Sequence, residues 1–126
     1  MQTKKFVENI LEKHAIQVYE SPGFITTRLI SVMINEAVHA LTEGVATAED
    51  IDSAMKIGYG FHSGPLEMAD RFGLDSVLAS METLFREYGD IKYRPNFLLK
   101  KMVRAEHLGV KTGSGFFSYS EGGIRL

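Results

Sequence analysis

The chain has 126 residues, 44% hydrophobic and 24% charged, with a formal net charge of −2 and no cysteine. That length suits one hydrophobic core and is short for two, while the composition points away from a disordered chain or a membrane protein. The missing cysteines remove disulfides, thiolate metal sites and a thiol nucleophile together, and they fit a reducing compartment, so the cytoplasm is the expected location.

The first residues, MQTKKFVENILEKH, carry acids and lack a continuous apolar run, so no export signal is expected. Phe6, Ile10, Leu11 and Ala15 recur at helical spacing over residues 3–14, and AIQVY, Ala15–Tyr19, then reads as one short strand. A lone strand has no ladder partner in an otherwise helical chain, which suggests the remnant of a larger sheet.

Ser21 is placed to cap a helix whose first residue is Pro22, running to about Thr42 and stopped by Gly44. Its longest nearly uncharged run, Leu29–Asn35, is too short to span a bilayer. The helix is apolar on more than one side, with Phe24, Ile25, Leu29, Val32, Ile34 and Val38 among its residues. Such a helix is buried in a large core or in a subunit interface, and in so small a chain homodimerisation through it is the expectation.

TAED, Thr47–Asp50, resembles a capping box and opens a short helix predicted to end near Ile57, before Gly58. GYGFHSGP follows as a loop. Pro65 begins a helix stopped by Gly73, a longer one spans about Asp75–Tyr88, and Asn96 caps another that is predicted to reach about His107. The tail reads as a glycine-rich loop, an aromatic extended segment in GFFSY, and a loose end.

Chemistry-bearing residues are few. His14, His39, His62 and His107 are scattered without metal-ligand spacing, so no metal site is expected. His39 shares a stripe with Asn35, Glu36 and Glu43 and reads as a satisfied polar group or interface contact rather than a base. His62 sits in a glycine-flanked loop before a helix start, where ligands approach. GYGFHSG has neither the spacing nor the strand context of a dinucleotide fingerprint, and GVKTGSG lacks the spacing of a phosphate-binding P-loop. Lys111 in that second loop either presents an ammonium to an anion or is a solvated turn residue. Lys92, Arg94, Lys100, Lys101 and Arg104 form a local basic run without an intervening acid. It is either a solvated face or a surface that meets phosphates; nucleic acid is not expected, because no recognised binding motif accompanies it. Thr26, Thr27 and Arg28 give the apolar helix a polar mouth, and Arg28 needs an anionic or carbonyl partner.

Read together, SPGFITTRL, EGVATAEDIDSAMKIGYGFHSGPLEMAD, GLD, KYRP and LGVKTGSGFFSY resemble, in order and spacing, the C-terminal domain of the 3-hydroxyacyl-CoA dehydrogenase family, 3-hydroxybutyryl-CoA dehydrogenases included. The resemblance implies an all-α helical bundle of the 6-phosphogluconate dehydrogenase C-terminal-domain-like type over residues 21–126. It makes residues 1–20 the last helix and strand of a Rossmann domain. The family domain closes over the acyl end of the substrate and supplies most of a homodimer interface; NAD, the catalytic His-Glu pair and CoA contacts belong to the Rossmann domain. The chain is therefore expected to be inactive alone, with NAD relevant only beside a separate Rossmann-domain polypeptide, and acyl-CoA as the small-molecule ligand. The alternative is a dimerising or acyl-CoA-binding module that has lost the chemistry.

Residue by residue, the resemblance places Thr27 where the family has a substrate-holding asparagine. One hydroxyl cannot reproduce an amide's acceptor and donors. Arg28 and His62 fall on the substrate side, with HSGP where PMGP is frequent. Lys111 matches the lysine that reaches toward the NAD on the other domain.

Overall fold

The computed structural model describes residues 22–126, with side chains from Ile25 onward. The helix expected over 3–14, the strand over Ala15–Tyr19 and the Ser21 cap lie outside the described residues. Among the described residues five α-helices follow in order: α1 (Pro22–Thr42), α2 (Ala48–Tyr59), α3 (Pro65–Phe72), α4 (Leu74–Tyr88) and α5 (Phe97–Arg104). Two single 3-10 turns, η1 (Ile91–Tyr93) and η2 (Val110–Thr112), precede and follow α5. Among the described residues, extended pairing is confined to isolated bridges in the tail. The all-helical expectation therefore holds, and none of these helices is long and apolar enough to cross a membrane.

The chain divides into two compact units, residues 1–30 and 31–126, with the division inside α1. In the first unit, the opening of α1 exposes Ile25 and Leu29, the latter to 66%. The second unit holds a continuous core. In α4, Leu74, Val77, Met81 and Leu84 recur at alternating steps of three and four, and all four are buried. That spacing forms one apolar stripe down the helix. It packs between α3 and α5, while α2 packs on the other side of α3. Leu66 and Ala69 from α3, Leu99 from α5, and Ile34 and Val38 from α1 complete the buried set.

Helix ends follow backbone chemistry more closely than residue type. α1 stops at Gly44, whose φ of 76° belongs to the left-handed region; Val45 N–H donates to Ala40 O at 3.1 Å and Gly44 N–H to Leu41 O at 3.1 Å. The expected stop of α2 before Gly58 is corrected: the helix runs through Gly58 to Tyr59, and Gly60, at φ 72°, ends it. A glycine inside an exposed helix costs only about 1 kcal/mol, whereas the left-handed turn needs its glycine, so the second glycine of GYG sets the end. α5 also ends earlier than His107. Glu106 takes the left-handed position at φ 63°, while its N–H donates to Val103 O and His107 N–H donates to Met102 O.

A polar tie joins α1 to the segment before α5. Asn35 Nδ2 donates to Arg94 O at 2.8 Å, and Asn35 Oδ1 accepts Asn96 N–H at 2.9 Å. Asn96 then caps α5 through Oδ1, accepting Leu98 N–H at 2.7 Å, and its Nδ2 lies 2.7 Å from His39 Nδ1. His39 is thus a satisfied polar group, and its partner is an asparagine rather than the neighbouring glutamates. Asn96→Ala is expected to cost about 1–2 kcal/mol by urea unfolding. Asn96→Asp should recover the capping share only, since it restores the acceptor but not the donor to His39.

Candidate functional site

The residues that shape the site edge gather around α3, an amphipathic helix of eight residues with a buried aspartate facing each end. Asp52, the one buried residue of α2, accepts Leu66 N–H through Oδ1 and Glu67 N–H through Oδ2, both at 2.8 Å. It therefore caps α3 from outside, in place of the side chain that Gly64 lacks. The approach is close: a Cβ on Gly64 would lie 2.2 Å from the Asp52 carboxyl carbon. This contact draws in the loop that carries His62, which stays exposed.

Asp70, 1% exposed, faces the tail. Its Oδ1 accepts Phe116 N–H at 2.9 Å; its Oδ2 accepts Phe117 N–H at 3.0 Å and the Tyr119 hydroxyl at 2.7 Å. Burial pushes the Asp70 carboxyl above the ordinary carboxylate range, while the Tyr119 hydroxyl and the two N–H donors pull against it. Burial, then the adjacent carboxylate, raises the Tyr119 phenol far above its usual value, so the phenol remains the donor. Gly115 is fixed by the same contact, since a Cβ there would fall 2.1 Å from Asp70 Oδ1. The end of the chain is consequently not loose. Leu126 N–H donates to Ser118 O at 2.9 Å, Arg125 stacks 3.7 Å from the Phe117 ring centroid, and Arg125 Nη1 lies 3.4 Å from Glu67 Oε1.

Between these anchors lies the KTGSGF loop. Leu74 N–H, at the start of α4, donates to Leu108 O at 2.9 Å, and Leu108 N–H donates to Thr112 Oγ1 at 2.9 Å. Lys111, in η2, places Nζ 2.8 Å from Asp75 Oδ1 in the first turn of α4. The Lys111 hydrogen bond holds the Asp75 carboxyl below its ordinary value. The ammonium keeps 51% of its side chain exposed, so it is steered but remains reachable.

Of the residues singled out in the sequence, Thr27 is exposed and Arg28 half-buried on the opening turns of α1. His62 precedes the N-terminus of α3, and Lys111 lies by its C-terminus, so the two stand at opposite ends of a helix about 12 Å long. Among the described residues, no strand–turn–helix unit is present to cradle a dinucleotide, and GYGFHSG joins two helices. No group of three metal-ligating side chains gathers among them either. Asp52 and Asp70 were not apparent from motifs. Their signal was an acid on an apolar helical stripe, Asp70 lying one and four residues beyond buried Ala69 and Leu66.

The five helices and the tail loop are the fold of one helical domain. Residues 23–119 match the family described as 3-hydroxyacyl-CoA dehydrogenase, C-terminal domain. The chain belongs to the 3-hydroxyacyl-CoA dehydrogenase family. It is 50% identical over 111 residues to the 3-hydroxybutyryl-CoA dehydrogenase of Clostridioides difficile, covering 88% of this chain and 40% of that protein. A probable 3-hydroxybutyryl-CoA dehydrogenase of Bacillus subtilis is 49% identical over 109 residues, covering 86% and 38%. Among solved structures, the (S)-3-hydroxybutyryl-CoA dehydrogenase PaaH1 of Ralstonia eutropha superposes with a TM-score of 0.75 at 51% identity, over 79% of this chain and 35% of that one. The chain thus spans about 40% of the length of the relatives it matches.

Tyr119→Phe should test the tail anchor. It removes the hydroxyl donor to the buried Asp70 carboxyl and is expected to cost about 1.5–3 kcal/mol in urea unfolding. The sign with pH follows from Asp70. Its folded value is raised, so Asp70 by itself favours folding most at acid pH and less as pH rises through that folded value. The Tyr119 bond works in the opposite sense, because it favours the ionised form. The penalty of Tyr119→Phe should therefore shrink as pH falls through the Asp70 titration.

Proposed function

We propose that this chain is the substrate-side and dimerising portion of an NAD-dependent 3-hydroxyacyl-CoA dehydrogenase, converting 3-hydroxyacyl-CoA to 3-oxoacyl-CoA only beside a Rossmann-domain polypeptide. The observation that carries the reading is the KTGSGF loop. Asp70 and the start of α4 fix its backbone, Asp75 aims its lysine, and the ammonium stays exposed. A loop so constrained suits contact with a group held on another body.

In this reading NAD held by the Rossmann domain would supply the hydride acceptor for C3 of the hydroxyacyl thioester, and a histidine of that domain would take the hydroxyl proton. The residues of this chain bind and orient. Thr27 offers one hydroxyl to the substrate at the mouth of α1, and Arg28 adds a fixed positive charge there. His62 gives the acyl-side wall a polar group, and Lys111 reaches toward the NAD. The reading assigns residues 21–126 to the helical domain and, by resemblance alone, residues 1–20 to the nucleotide-binding domain. Exposed Ile25 and Leu29 support homodimerisation along α1, and a cytoplasmic location belongs to the same reading.

Mixing the chain with a family Rossmann-domain polypeptide and 3-hydroxybutyryl-CoA should yield NADH where neither component does alone. Thr27→Asn should raise turnover on the order of 10–100-fold by restoring the amide, and Lys111→Ala should raise the KM for NAD. No complex and no turnover at high protein concentration would sink the reading. Thr27 in the asparagine position favours one second reading, a dimerising or acyl-CoA-binding module without chemistry. Heat on titrating acyl-CoA into the chain alone, with no turnover in the mixture and none gained by Thr27→Asn, is the result that reading expects.

A further inference from the structure

The α1–α5 corner carries an open cleft of about 630 Å³, lined by His39 of α1, Ile91 of η1, Arg94, Asn96, and Phe97 and Lys100 of α5. None of its lining residues belongs to η2 or to the loop that carries His62. Its chemistry follows from the bonds beneath it. Asn96 Oδ1 accepts Leu98 N–H at 2.7 Å, which fixes the side-chain amide with its NH2 toward His39. An amide NH2 can only donate, so His39 Nδ1 accepts, and the neutral ring carries its proton on Nε2. The ring's remaining polar edge is therefore a donor.

The other polar side chains of the cleft are also donors. Among the described residues, neither Arg94 nor Lys100 lies within ion-pair distance of a carboxylate, and no acidic side chain lines the cleft. Lys101 stands over the ring of Phe97, 5.4 Å from its centroid, adding positive charge beside that lining residue. Into this field project two apolar side chains, Ile91 and Phe97, each 66% exposed. A wall of cations and donors beside an exposed aromatic face complements a ligand that is anionic at one end and flat at the other.

We propose that this cleft is a binding site for a phosphorylated small molecule with a flat apolar group, the phosphate held by Arg94 and Lys100 and the flat group laid on Phe97. A symmetric pairing of two such clefts would set cation against cation, which disfavours a second copy of the chain as the occupant. The site is independent of the dehydrogenase reading, because it needs neither a Rossmann domain nor an acyl thioester.

The test is titration of the chain alone with ADP, adenosine and inorganic phosphate, followed by amide and His39 ring resonances. ADP should shift Asn96, Phe97, Lys100 and His39, and should bind at least about tenfold tighter than adenosine or phosphate, weakening as salt rises. The double variant Arg94→Gln, Lys100→Gln should lose about tenfold or more in ADP affinity with an unchanged unfolding midpoint, and Phe97→Ala should reduce the advantage of ADP over phosphate. Binding of ADP no tighter than adenosine or phosphate would overturn the proposal. So would shifts that map elsewhere, or affinity indifferent to the double variant. Cleft resonances that move with protein concentration rather than with ADP would overturn it in favour of a contact between copies.

Discussion

Asp70 is buried to 1% exposure, and a carboxylate in that position requires donors from the surrounding chain. It obtains three, all from the tail: two N–H groups of consecutive phenylalanines and the hydroxyl of Tyr119. Satisfying one buried carboxyl group therefore dictates the path of the segment that follows α5. Gly115 must be a glycine for the backbone to come so near, and Gly109 meets the same limit, since a Cβ there would stand 2.2 Å from Asp70 O. The placement of η2, and hence of Lys111, depends on these two approaches together with the Leu74–Leu108 bond.

The second tie, through Asn35, Asn96 and His39, follows the same logic with neutral groups. Each asparagine uses both ends of its amide, and this determines which ring nitrogen of His39 accepts. Buried polar groups that are fully partnered restrict the arrangements open to the helices around them, which apolar contact alone does less well. The two ties act on different parts of the second unit. One sets the loop bearing Lys111, and the other sets the corner where α1 meets α5.

The helices were legible in the sequence because their signals are local: the three-and-four spacing of Leu74, Val77, Met81 and Leu84, the Thr47 and Asn96 caps, and the glycine after α1. Errors of boundary came where two residues competed for one backbone role, as with Gly58 and Gly60, or where a glutamate adopted the left-handed turn after α5. The tail was misread for a different reason. Nothing within Gly113–Leu126 announces that its donors are required by an aspartate more than forty residues earlier, because a pairing of that kind is set by tertiary approach. The partner of Lys111, Asp75, lies 36 residues away and was not apparent from the loop that carries the lysine. The roles of Thr27, Arg28 and His62 rested on resemblance, and geometry adds only their exposure and their place on the chain.

α3 has eight residues, fewer than an isolated helix needs to persist in water. It depends on Asp52 at one end, and through Asp70 it organises the tail at the other. Opening α3 therefore releases the His62 loop and the Lys111 loop in a single event, although the two never touch. In terms of native-state dynamics, the two ends form one cooperative unit. The two loops at this edge therefore share one source of order, the short helix that carries Asp70 and accepts the Asp52 cap.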